Sequence, residues 1–290
     1  MTAIVFLGPT LPVAEARTEL DAIYLPPVAQ GDIFRAMARR PTAIGIVDGF
    51  FDSVPAVWHK EILFAMSEGV HVYGCSSIGA LRAAELWRYG MEGVGRIFEA
   101  YRDGILEDDD EVALIHAPAE LDYAPLSEPM VNIRATLEQA EAGQSVTAST
   151  RTEIEKLAKG LYYADRTWPK LLALGAAANL PAPELDALAK LGTDGRVDQK
   201  RLDALSMLRM LRQRLADLTP KRVDFRFEHS WLSEKARQSA NEAVANTSAF
   251  RGCDRCAGVD QPRPTGDALK PRHGPGAAAC QDPAAEHFRR

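Results

Sequence analysis

The stretch from His71 to Leu86, HVYGCSSIGALRAAEL, changes character in its middle. Residues 70–74 (VHVYG) form a short run of the kind that makes a buried strand. Residues 78–88 (IGALRAAELWR) are rich in strong helix formers. Between them lies a turn of small residues, Cys75-Ser76-Ser77. With Ile78-Gly79 it reads small-x-Ser-x-Gly, the pattern of a nucleophile elbow. Small flanking residues let the chain turn sharply, and the Ser77 hydroxyl then lies beside helix N-terminal amides able to hold an oxyanion. Two other readings fit the same residues: an anion-binding turn, or a serine (Ser76 or Ser77) that caps the helix. Gly74 and Gly79 also mimic the glycine spacing of a phosphate loop. Ala80-Leu81 stands where that loop needs its lysine and hydroxyl, so the phosphate reading is weak.

Working outward, the same alternation repeats. Residues 3–7 (AIVFL) and 22–25 (AIYL) read as strands that end at Gly8-Pro9 and Pro26-Pro27. Residues 43–47 (AIGIV) form a third, ending in Asp48-Gly49. Helical segments follow at IFRAMARR and 56–67 (AVWHKEILFAMS), and 111–116 (EVALIH) is the expected fifth strand. Short apolar strands alternating with helices of about ten residues predict an α/β fold, a mostly parallel sheet with helices on both faces. Ligands of such sheets bind beyond the carboxyl ends of the strands. Asp48, the Cys75-Ser76-Ser77 turn and His116 all fall at such ends.

From Pro129 to about Pro220 apolar residues recur every three or four positions and Gly or Pro separates the segments, which predicts a helical C-terminal region. One more helix is expected within 225–248. After Phe250 the composition turns to Pro, Gly, Ala and Arg with almost no large apolar residues, so the tail is expected to be disordered. The expected organisation is an α/β core over 1–137, a helical region over 138–248 and a low-complexity tail over 249–290.

The formal net charge of -6 argues against a nucleic-acid or anionic-membrane partner. No run approaches the roughly 18 apolar residues of a spanning helix, and the first residues lack the basic region of a signal peptide. Of four cysteines, Cys75 lies in the core and Cys253, Cys256 and Cys280 in the tail, which is no secreted disulfide framework. The cytoplasm is the expected compartment.

Several further residues carry chemistry. Cys75 is the more reactive atom type in the turn, although a buried free cysteine usually packs as a small hydrophobe. His59, on the expected helix 56–67, and His116 are alternative general bases for Ser77, with Asp48 orienting the imidazole. Each histidine has the plainer reading of a hydrogen-bonded core-edge residue. Gly49 and Gly79 border the turn, and Arg82, one helical turn on, reaches toward an anion or toward Glu85. The acidic run Asp108-Asp109-Asp110-Glu111 reads as a solvated turn more readily than as a cation site. In Pro125–Arg134 (PLSEPMVNIR), Ser127 is the expected helix cap, and Glu128, Asn132 and Arg134 are candidate site-facing residues. Cys253-x-x-Cys256, with His273 and Cys280, has half the spacing of a zinc site, and no metal is assigned to it.

Taken in order, these segments resemble the TfuA family. The resemblance rests on Gly8-Pro9-Thr10-Leu11, Pro26-Pro27 with Gly31-Asp32, Asp48-Gly49-Phe50-Phe51 and Val57 to Leu63. It continues through Gly74 to Leu86, Gly90-Met91, Asp109 to Ala113 with His116, and Pro125 to Leu137, covering about residues 3–137. Cys75 stands where the family pattern has alanine. The resemblance implies an accessory protein for backbone thioamidation of a ribosomal peptide or protein by a YcaO-family partner. That partner uses ATP to activate an amide oxygen, so no cofactor is expected here. The implied partners are the YcaO protein, a ubiquitin-like sulfur-carrier protein and a precursor peptide, without nucleic acid or membrane. The expected activity is release of sulfide from the carrier's C-terminal thiocarboxylate by Ser-dependent acyl transfer. The alternative is a non-catalytic scaffold that docks on YcaO and completes its site.

Overall fold

The computed structural model describes residues 1–50, 54–192, 194–231, 233–240 and 242. Phe51 and the Cys253, Cys256, His273 and Cys280 cluster lie outside the described residues, as does the expected tail. Five strands form one parallel sheet: β1 (Ala3–Phe6), β2 (Ile23–Leu25), β3 (Ala43–Ile46), β4 (His71–Cys75) and β5 (Glu92–Val94), in the order β2-β1-β3-β4-β5. Four of them stand where short apolar runs predict them. The fifth does not. Residues 109–111 form a 3-10 turn, and His116 makes only an isolated antiparallel bridge with Pro125. The edge position is taken instead by Glu92-Gly93-Val94, pairing with Tyr73-Gly74-Cys75.

Ten α-helices span residues before the last described segment: α1 (Val13–Glu19), α2 (Asp32–Met37), α3 (His59–Ser67), α4 (Ile78–Leu86), α5 (Arg96–Arg102), α6 (Met130–Ala142), α7 (Ala148–Lys159), α8 (Trp168–Ala177), α9 (Ala182–Lys190) and α10 (Gln199–Arg214). Alternation along each strand decides which face they cover. Ile4, Phe6, Ile44, Ile46 and Val72 point to one face and pack against α2, α3, α4 and α5 through Ile33, Ile62, Met66, Ala80, Ala83 and Phe98. Ala3, Val5, Ala43, Tyr73 and Cys75 point to the other, against Ala16 of α1 and Ala204, Met207, Leu208 and Leu211 of α10. A helix from late in the chain thus completes the sandwich. Helices α6 to α9 bury a separate cluster around Ile133, Leu137, Ile154, Trp168 and Leu185.

The chain reverses its direction of travel across the sheet between β1 and β3, and such a switch point opens a crevice at the carboxyl ends. The registers Phe6↔Ile46 and Ile46↔Gly74 bring three of these ends level. Helix α4 presses hard on them: a Cβ at Gly79 would lie 1.8 Å from the Ile46 carbonyl oxygen, and one at Gly74 only 2.1 Å from the Gly79 oxygen. The two glycines therefore serve close helix–sheet packing rather than a phosphate.

Glu61 of α3 holds the loops beside the crevice. It is fully buried, and its two carboxylate oxygens accept the Gly31 N–H at 2.8 Å, with Oε1 also taking the Trp58 N–H at 3.3 Å. Burial pushes its carboxyl up to about 7, against the lowering by those backbone donors. The folded state therefore binds the proton more tightly than the unfolded chain does. Stability is fully present below the ordinary glutamate value of 4.5 and is lost as pH climbs to about 7. The loss is on the order of 3 kcal/mol. Chemical denaturation across this window should give a descending stability for the natural protein and a flatter one for Glu61→Gln. Equal slopes would show that Glu61 does not titrate in this range.

Candidate functional site

Asp48 follows β3 at the switch point and is 1% exposed. Its carboxylate accepts the Gly8 N–H at 2.9 Å, the Thr10 N–H at 3.0 Å and the Thr10 hydroxyl at 2.6 Å. Three donors from the turn after β1 thus offset the cost of burying the charge. The Asp48-Gly49 turn lies against α4, where a Cβ at Gly49 would come within 2.5 Å of Ile78 Cγ2.

Ser77 occupies the N-cap position of α4, yet its side chain makes no capping hydrogen bond. Its hydroxyl instead accepts from the Nζ of Lys200, at 3.3 Å. Lys200 lies in the first turn of α10 and its side chain is 2% exposed. The same Nζ donates to the Val112 carbonyl at 3.1 Å and stands 3.8 Å from Asp48 Oδ1. Burial holds the Lys200 ammonium below its ordinary range, and Asp48, the largest opposing influence, does not cancel this. Two physical reasons favour that outcome. Asp48 has already spent much of its charge on three donors, and the positive end of α10 disfavours a cation in its first turn. Its weakened hold on the proton leaves this amine readier than an ordinary lysine to accept one from the serine hydroxyl beside it.

This group opens into a cavity of about 390 Å³. Its walls include Pro9, Asp48, Gly49, Phe50, Ser77, Val112, Ile115, His116, Tyr163 and Lys200. His116 Nδ1 lies 2.8 Å from the Ala117 carbonyl oxygen. A carbonyl only accepts, so that nitrogen carries the proton. The ring is further packed by Phe50 and Tyr123, with centroids 6.1 and 5.4 Å away. Ser127, the expected helix cap, instead accepts the Ile115 N–H at 2.9 Å and ties down this wall, while the helix begins after Pro129.

Of the sequence-derived candidates, Asp48, Gly49, Ser77 and His116 meet at the cavity. Ser76 and Asn132 hold the backbone of Lys200: the Ser76 hydroxyl donates to its carbonyl at 2.7 Å, and Asn132 Oδ1 accepts its N–H at 3.1 Å. His59 is placed elsewhere, on an exposed face, with Nε2 at 2.7 Å from Glu85 Oε2. Arg82 donates to that same carboxylate at 2.7 Å and to the Val57 carbonyl, so its charge is used locally. Arg134 pairs with Glu111 through two bonds of 3.0 Å and with Glu155. Glu128 sits 3.9 Å from Arg196, and burial raises its carboxyl. Cys75 is fully buried, and burial pushes its thiol far above the ordinary range, which suits packing and not attack. The acidic run is an ion-pair node: Lys159 reaches Asp108 at 3.0 Å and also Asp110 and Glu111, and buried Arg166 bonds Asp110. No cluster of three metal-ligating side chains forms among the described residues.

Residues 48–167 match the family described as TfuA-like protein. Over this stretch the chain is similar to the TfuA-like family. It begins at Asp48 and contains Ser77 and the His116 wall, whereas Lys200 lies beyond it. That similarity supports an accessory role related to thioamidation, of a kind carried out with a protein partner. A comparison with curated proteins gives no match. Among the described residues no helix is long and apolar enough to cross a membrane.

Proposed function

We propose that this TfuA-like protein releases sulfide from a thiocarboxylated, ubiquitin-like carrier and supplies it to a YcaO-family partner, with Ser77 as nucleophile and Lys200 as general base. The observation that carries this reading is the buried Lys200 Nζ at 3.3 Å from the Ser77 hydroxyl. Asp48 keeps the amine in place, and the histidine base expected from the sequence gives way to the lysine.

The chemistry runs as acyl transfer. Ser77 Oγ bonds to the thiocarboxylate carbon as its proton passes to Lys200 Nζ. The negative tetrahedral oxygen meets the first N–H of α4, from Ile78, the donor that follows the nucleophile in elbows of this kind. The carbon–sulfur bond then breaks, and the sulfur leaves as hydrosulfide with the proton held by Lys200. Water, deprotonated by the free amine, cleaves the ester to give the carrier's carboxylate and restore Ser77. Helices α4 and α10 both direct their N-termini toward the site, which favours an anionic acyl group.

The direct test incubates the isolated protein with a thiocarboxylated carrier and measures sulfide. Catalytic turnover without YcaO is expected. Absence of release, together with thioamidation that needs both proteins, would favour the non-catalytic scaffold.

A further inference from the structure

The elbow holds a second serine that the proposed reaction leaves unused. Ser76 is fully buried at φ 65°, a left-handed conformation that glycine adopts freely and serine does not. Its hydroxyl donates to the Lys200 carbonyl at 2.7 Å, while the neighbouring Ser77 hydroxyl meets Nζ of that same lysine. From α6, Asn132 accepts the Lys200 N–H through Oδ1 and donates through Nδ2 to Asp198 Oδ1 at 2.9 Å. Asp198 is the N-cap of α10. Side chains from two other elements therefore hold both polar groups of one peptide unit's residue. The N–H is a first-turn donor without an intrahelical partner, which Asn132 supplies, whereas the bond from Ser76 to the carbonyl is one the helix does not need.

We propose that Ser76 and Asn132 are positioning residues, which hold Lys200 so that its amine stays on the Ser77 hydroxyl. This rests on the reading of Ser77 as nucleophile and Lys200 as base. A strained serine is retained at Ser76, in place of glycine, because the bond to Lys200 needs its hydroxyl. The charged and titratable groups facing the amine are Asp48 after β3, Cys75 at the end of β4 and Asp198 on its own helix, with His116 and Tyr163 on the walls of the same cavity. A loosened Lys200 gains water, its ammonium becomes easier to hold, and the pH at which the free amine appears rises.

The test measures phosphonylation of Ser77 by a fluorophosphonate across pH, on the full chain, with melting temperatures. In this reaction the Ser77 Oγ–P bond forms, fluoride leaves and the hydroxyl proton passes to Lys200, so no sulfur substrate is required. Ser76→Gly suits the local backbone and should fold with little change in melting temperature. Its labelling at neutral pH should fall by about 10- to 100-fold, the scale of small misplacements of reacting groups. The midpoint of its pH profile should also move upward, and Asn132→Ala should shift the same way. Ser76→Gly with natural rate and midpoint would overturn the proposal and leave Ser77 as nucleophile. A slower rate with an unmoved midpoint marks a purely structural role and overturns it too. Natural protein whose Ser77 takes no label would sink the nucleophile reading, and this proposal with it.

Discussion

Ser77→Ala is expected to abolish sulfide release while the protein stays folded. The hydroxyl makes no capping bond, so its removal forfeits one hydrogen bond to Lys200, which keeps the Val112 carbonyl. That costs about 1 kcal/mol of stability. Losing a nucleophile removes far more from the rate, roughly a thousandfold or greater by comparison with serine hydrolases. Sulfide production from a thiocarboxylated carrier and thermal denaturation of the same sample separate the two quantities. An alanine variant that still turns over would end the acyl-enzyme reading and return the elbow to a structural or anion-binding role.

Lys200→Met should be comparably inactive. Methionine fills a similar volume without an amine, so Ser77 keeps its place and loses its proton acceptor. Breaking a buried ion pair by removing one partner commonly costs 3–5 kcal/mol. Here the penalty is expected to be smaller, because Asp48 retains three donors and its contact with Lys200 is 3.8 Å long. The variant therefore folds, and fluorophosphonate labelling of Ser77 falls with sulfide release. An active Lys200→Met protein beside an inactive His116→Gln protein would hand the base role back to the histidine.

The strands were legible because buried parallel strands read as short apolar runs, and AIVF, AIGI and HVYGC stand out from their surroundings. Glu92-Gly93-Val94 has no such signature. It is three residues long with a central glycine, and only its neighbour β4 makes it a strand. EVALIH carries the apolar pattern, but Glu111 at its start is drawn into pairs with Lys159 and Arg134, next to Asp110 paired with Arg166, and Asp109–Glu111 form a 3-10 turn instead of a strand. The elbow and Asp48 were visible as small and acidic residues at strand ends. Lys200 was not, since nothing beside it in the chain announces a partner 123 positions away. A signal does exist: Lys200 lies in line with Ala204, Met207 and Leu211, the buried stripe of α10. A lysine on an apolar stripe is either misplaced or partnered. His59 misled for the opposite reason, since a helix of mixed polarity does not say which of its faces looks toward the sheet ends.

The origin of that lysine in α10 bears on how the protein is made. A chain emerging from the ribosome presents Asp48 and Ser77 early, on strands that can begin to pair with their neighbours. Lys200, the proposed base, arrives only when the segment beyond Gln199 has been synthesised and has docked on the second face of the sheet. Contacts this distant in sequence close late in folding, because loop entropy opposes them until the intervening structure exists. Competence is thereby coupled to completion. On the proposed reading, a truncated or half-folded copy carries a serine without its amine and does not dissipate sulfide.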